Sequence, residues 1–211
     1  MALRFFTPST TVVLAEPLQT RLRAWQELPA PSLGQAHYQV RYGVLHLHTE
    51  GLDPQQHRIK QLAAVGVSHG SIHPDDAFWI EPGSHDPEAW LAWLEFVGKA
   101  PLASFQLPFV RAFLEPALRL NLGLEPRFCW LDLAVLLPEL FREAGEPGHG
   151  LEGWLDYFSL DHGDRRDVMG ETLLQARLLQ RLLAAARRRG VDSPAALQEL
   201  ARAHRWLHGA S

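Results

Sequence analysis

Hydrophobic residues follow two different periods along this chain, and the change falls near residue 85. Before it, apolar residues come in short runs separated by turn formers. The first run predicts a strand over His37–His48 that ends at Gly51 and Asp53-Pro54. Side chains on a strand alternate faces, so His46 and His48 share one side while Leu45 and Leu47 take the other. A second strand is predicted over Ile59–Val67, where Leu62 to Val65 form a continuous apolar run. A third is predicted over Phe78–Ile80, after a turn at Pro74-Asp75-Asp76. Together these make an antiparallel meander.

After residue 85 the apolar spacing becomes helical. A helix starting at Pro87, capped from Ser84–Asp86, carries the stripe Trp90, Leu91, Trp93, Leu94 and Val97. A strand over Pro101–Phe105, a helix over Phe109–Leu120, a strand over Phe128–Trp130 and a helix over Leu131–Arg142 follow. Beyond a glycine-rich loop at Gly145–Gly150 come a short helix over Leu151–Phe158 and a long one over Arg166–Arg189, closed by Gly190. Ser193-Pro194 opens a last helix that ends near His208. Ahead of the meander, a β-leaning piece at Thr10–Leu14 and a helix over Pro17–Leu28 are cut off by Pro29–Gly34. Strands first and interleaved helices afterwards predict an α/β fold: a mixed central sheet flanked by helices. The division expected is an extension over 1–36 packed on the core, the main domain over 37–190, and a C-terminal helix over 191–211 belonging to that domain.

The 211 residues, 46% hydrophobic and 21% charged, are a globular balance. A formal net charge of −4 lacks the basic excess of a general nucleic-acid coating protein, although a local patch can suffice for contact with one end. The single cysteine, Cys129, excludes an intramolecular disulfide framework and fits a reducing compartment. No apolar run approaches a membrane span and no signal-peptide core opens the chain, so the expectation is a cytoplasmic protein with no membrane partner. His69, His73 and His85 lie in turn-rich sequence and read as solvated loop residues. The run Arg187-Arg188-Arg189 reads as the cationic end of a helix, favoured by its dipole.

Thr49-Glu50-Gly51-Leu52-Asp53-Pro54, followed by His57-Arg58-Ile59, resembles the first motif of the DEDDh 3'-5' exonucleases, the group of the polymerase proofreading subunits. That motif typically runs apolar-apolar-Asp-x-Glu-Thr-Thr-Gly-Leu-Asp-Pro. The flanks match, but His46 stands at the aspartate and His48 at the glutamate. The second motif resembles Phe105 to Leu114: Phe109 and Phe113-Leu114 match, while Val110 stands at the aspartate. The third resembles Arg165 to Thr172, with Arg166 at the general-base histidine and Glu171 at the last metal-binding aspartate. The resemblance spans residues 40–188. It implies an RNase H-like exonuclease fold and a degenerate member that has lost three of four metal-binding carboxylates.

The physical consequence is large. Two-metal phosphodiester hydrolysis needs carboxylates to hold two divalent ions, and magnesium is a hard ion that takes oxygen ligands. Each partner charge at about 4 Å is worth roughly 4 kcal/mol at an effective dielectric near 20. Magnesium is therefore disfavoured, and no catalytic residue is expected to function at His46, His48, Val110, Arg166 and Glu171. The expectation is a pseudo-exonuclease with no cofactor, acting as an interaction or regulatory module for a protein partner. Two alternatives stay open. One is a metal-free nucleotide or phosphate site on Arg166, His46 and His48. The other is a divergent exonuclease with a rearranged site, His46, His48 and Glu171 being donors that suit zinc, manganese or iron.

Overall fold

A computed structural model describes residues 12–83, 85–144, 150–163 and 167–208. Five strands form one sheet in the order β3-β2-β1-β4-β5: β1 (Tyr42–Thr49), β2 (Ile59–Ser68), β3 (Ser71–Ile80), β4 (Leu102–Ser104) and β5 (Trp130–Asp132). The pairs β1–β2 and β2–β3 are antiparallel, and β1–β4 and β4–β5 are parallel. This is the expected mixed sheet with its meander. Three boundaries differ most from expectation. Strand β5 runs two residues later than the expected Phe128–Trp130. Residues His37–Gln39 form a 3-10 turn, and β1 begins only at Tyr42. Pro74, Asp75 and Asp76 lie within β3 instead of preceding it. The strand tolerates them because it is the sheet edge, and its register breaks there, with Val65 opposite Ala77 but Val67 opposite Ile72.

Seven helices complete the described chain: α1 (Glu16–Glu27), α2 (Pro87–Val97), α3 (Leu107–Leu122), α4 (Leu133–Leu140), α5 (Leu151–Tyr157), α6 (Val168–Arg188) and α7 (Pro194–His208). The alternation predicted for β1 divides the core in two. Leu45 and Leu47 join Trp90, Trp93, Leu94, Phe113 and Leu114 on the α2–α3 side. Tyr42 and Val44 join Leu136, Leu178, Leu179 and Leu182 on the α4–α6 side. Helix α1 lies against α2, with Trp25 buried in the core and Arg21 paired to Glu88 and Glu95. Residues 10 and 11 of the β-leaning N-terminal piece lie outside the described residues, and 12–14 have no regular structure, although Leu14 is buried. Of the glycine-rich loop, 145–149 lie outside the described residues, as does Ser84. Among the described residues, no helix is long and apolar enough to cross a membrane.

Candidate functional site

Residues that match the exonuclease motif on either side of the histidine pair build a turn. Thr49 Oγ1 donates to the Gly51 carbonyl at 2.7 Å. The Asp53 carboxylate accepts from the Gln55 backbone N–H at 2.9 Å and the Gln56 side chain at 2.6 Å. A Cβ on Gly51 would lie 2.6 Å from His57 Nε2, so only glycine lets the imidazole fold against the backbone there. The turn thus fixes where β1 ends, and with it the height at which His46 and His48 leave the sheet.

Both histidines point toward α6, which lies across β1 and β2. Asp167 caps that helix, accepting from Gly170 N–H at 2.8 Å, and Glu171 falls in its first turn. An anionic side chain is favoured at that end. Glu171 and Gln175 are four residues apart, so both face the sheet. Glu171 Oε2 lies 2.5 Å from His46 Nε2 and 3.4 Å from His48 Nε2. The two imidazoles meet edge to face, with centroids 5.4 Å apart. Hydrogen bonding from His46 holds the Glu171 carboxyl below its ordinary range, against a smaller opposing effect of burial, with contacts from His48 adding to the lowering.

Gln175 decides the polarity of this cluster. It is fully buried, its Oε1 accepts the Phe105 backbone N–H at 2.9 Å, and its Nε2 faces His46 Nδ1 at 2.9 Å. A backbone N–H can only donate, so the atom opposite Phe105 must be the amide oxygen. The amide nitrogen then donates to Nδ1, which must be unprotonated. The neutral imidazole therefore carries its proton on Nε2 and gives it to Glu171. One chain of donors runs Phe105 N–H to Gln175, Gln175 to His46, His46 to Glu171.

His46, His48 and Glu171 each offer a ligand atom, all within 4.8 Å of one another, so the set that the sequence pointed to is brought together. Its polarity is the reverse of a metal site. A metal-binding imidazole presents a lone pair to the ion and donates its other N–H outward to an acceptor. His46 meets a donor at Nδ1 and presents N–H at Nε2, so this donor set does not fit a cation held through His46 Nε2. The remaining expected positions do not repair it. Val110 is buried in the α2–α3 core and supplies no ligand atom. Arg166, the guanidinium of the expected anion site, lies outside the described residues.

Two polar groups near the sheet end went unassigned in the sequence. Gln175 is one; its signal is a single polar residue inside the apolar stripe Leu174, Ala176, Leu178 and Leu179. Asp132 is the other. It is buried at the end of β5, and burial pushes its carboxyl up, opposed by hydrogen bonds from the backbone of Ala134, Leu107 and Val135. Its Oδ1 accepts the Ala134 N–H at 3.0 Å, so Asp132 is the N-cap of α4. Cys129 is half-buried, and burial pushes its thiol up to about 11, which removes it from consideration as a nucleophile.

No protein-family model and no curated protein matches the sequence. Solved structures do. Cell-death related nuclease 4 (CRN-4) superposes with a TM-score of 0.58 at 15% identity, over 71% of this chain and 66% of that one. The nuclease domain of 3'hExo, a DEDDh family member bound to rAMP, gives 0.53 at 15% identity, over 71% and 94%. E. coli Exonuclease I in complex with a dT13 oligonucleotide gives 0.51 at 12% identity, over 71% and 42%. The chain thus spans slightly under two thirds of CRN-4 and less than half of Exonuclease I. The fold is the RNase H-like fold of the 3'-5' exonucleases.

Proposed function

We propose that this protein is a pseudo-exonuclease: an exonuclease-fold module that does not hydrolyse nucleic acid through metal ions and serves as a binding or regulatory component. The observation that carries the reading is the donor chain ending at Glu171. Family chemistry needs a cluster of carboxylates that hold two cations. Here the single carboxylate already accepts from His46, and Gln175, by donating to Nδ1, leaves the His46 proton on Nε2, where a ligand lone pair would be needed. The other acidic positions of the motifs are His48, a second imidazole, and Val110, which offers no lone pair. The scaffold is retained because its turn, its sheet and its two cores are independent of the ions.

The test is direct. Purified protein is incubated with end-labelled single-stranded DNA and RNA in magnesium, manganese and zinc in turn, beside a His46→Ala/His48→Ala/Glu171→Ala variant. The expected result is no shortening of either substrate by either protein. Trimming by the wild type that disappears in the triple variant overturns the proposal and makes the protein a divergent exonuclease. Trimming equal in both is contamination and leaves the expected result intact once removed.

A further inference from the structure

Helix α6 shows solvent a face of unusual composition. Its exposed positions are Arg177, Arg181, Ala184, Arg187 and Arg188, so all but one are arginine. Glu171 is the only acidic residue of the helix, and it faces the sheet. Elsewhere Arg21, Arg41, Arg111, Arg119, Arg142 and Arg189 each pair with a carboxylate, whereas Arg23, Arg58, Arg127, Arg202 and Arg205, on other elements, form no ion pair among the described residues; what sets α6 apart is that four unpaired arginines share one face. Among the described residues, Arg177, Arg181, Arg187 and Arg188 pair with none. Arg177 and Arg181 are four residues apart, about 6 Å along the axis, where like charges repel and weaken a helix. Among the described residues no carboxylate pairs with either arginine, and an external anion would offset the repulsion.

The surface is also shaped. Arg177, Gln180, Arg181, Ala184 and Leu160 line a cavity of about 440 Å³. A second, of about 430 Å³, continues past Gln180 and Ala184 to Arg187 and Tyr38. Gln180 forms the ridge shared by both, its amide tied to the Gly70 carbonyl at 2.7 Å in the β2–β3 turn. The small Ala184 lets a ligand approach the helix between the arginines. Tyr38 is 58% exposed at the far end and offers a free ring face. Asp192 also lines the second cavity and opposes an anion there, so the stronger half is Arg177–Arg181.

We infer that this face of α6 is a binding track for the phosphate backbone of single-stranded nucleic acid, with Tyr38 available to stack a base. Forked guanidinium groups suit phosphate oxygens, and a cationic groove ending in an aromatic ring is the arrangement that takes single strands without reading sequence. The track is local, so it coexists with a net charge of −4. It is separate from the His46 cluster and holds whether or not that cluster is catalytic.

Fluorescence anisotropy with a labelled oligothymidylate tests it. Binding is expected to weaken steeply with salt. In an Arg177→Ala/Arg181→Ala variant the slope of log affinity against log salt should fall by about 1.4, at about 0.7 per lost phosphate contact on a single strand. Affinity at low salt should fall about tenfold or more. Arg111→Ala/Arg119→Ala, which removes arginines already paired with Glu115 and Glu125, should bind as the wild type does. Thermal melting should show the track variant at least as stable as the wild type, since a repulsive pair is gone. No binding by the wild type, or equal binding by the track variant, overturns the assignment. Equally effective competition by polyglutamate overturns it in favour of an acidic protein segment. The same samples run on a denaturing gel report any trimming of the oligonucleotide, which bears on the absence of hydrolysis and not on the track.

Discussion

Replacing Gln175 with glutamate should reverse the hydrogen-bond polarity at His46. The substitution is nearly isosteric. One carboxylate oxygen still accepts the Phe105 N–H, but the other now accepts where the amide donated. His46 then protonates Nδ1 and frees the Nε2 lone pair, giving the arrangement of a metal ligand backed by a carboxylate. In the wild type, presenting that lone pair sets an N–H of His46 against an N–H of Gln175. This strands the Gln175 amide donor, which is fully buried, while the part-exposed His46 can reach water, so the cost is that of one buried group, about 1–3 kcal/mol. Relief of roughly 1.4 to 2.8 kcal/mol corresponds to tenfold to hundredfold in affinity, the range over which outer partners tune metal sites. Zinc binding by Gln175→Glu, measured by competition with a chromophoric chelator, is therefore expected to be about 10–100 times tighter than by the wild type. Long-range nitrogen–proton NMR of the imidazoles reads the cause separately. The wild-type His46 should show the Nε2–H tautomer, and the variant either Nδ1–H or imidazolium. A wild-type Nδ1–H tautomer, or zinc affinity unchanged while the NMR shows the switch, would refute the reasoning.

Three further outcomes follow from the same geometry. His37 is buried, accepting from the Tyr42 hydroxyl at 2.6 Å and donating to the Val191 carbonyl at 2.8 Å, and burial holds its imidazole below its ordinary value near 6.5. A depressed histidine binds its proton more weakly folded than unfolded. Stability is thus full above about pH 6.5 and declines below it; urea midpoints at pH 7.5 and 5.0 check this, and Tyr42→Phe should lower the pH 7.5 value by about 0.5–1.5 kcal/mol. Glu171 is a depressed carboxyl, so its contribution is present above its ordinary value near 4.5 and is lost as pH falls through the lower folded value. Glu171→Gln should flatten that acid limb of the stability–pH curve while leaving the His37 limb unchanged. Finally, a Cβ on Gly66 would lie 1.7 Å from Asp76 Oδ2, whose carboxylate is held by Arg41 through bonds of 2.9 and 2.6 Å. Gly66→Ala should therefore destabilise by about 1–3 kcal/mol, measured by denaturant unfolding; a loss below 0.5 kcal/mol would show that Asp76 moves aside freely.

Much of the architecture was legible in the chain because it rests on local rules. Alternation along β1 assigned Leu45 and Leu47 to one core and the two histidines to the other face, and the helical stripe of Trp90, Leu91, Trp93 and Leu94 assigned α2 to the core it fills. The β3 boundary was missed because proline and paired aspartates are turn signals locally. Only the position of β3 at the sheet edge, with a broken register, lets them remain in a strand. Val110 had been placed by motif alignment, which fixes a chain position but not the side of the sheet that a helix packs.

What residue order settled, then, was which groups were absent: carboxylates at positions 46, 48 and 110 cannot be supplied by any folding of this chain at those positions. What it left open was the state of the groups that remain. Two imidazoles and a carboxylate are equally a zinc site and a hydrogen-bonded cluster until the atom behind Nδ1 is known. That atom belongs to Gln175, far along the chain, and its orientation is fixed by a backbone N–H from a third segment at Phe105. Proton position is a property of a network closed by three distant pieces of chain, and such closure exists only once the fold has brought them together.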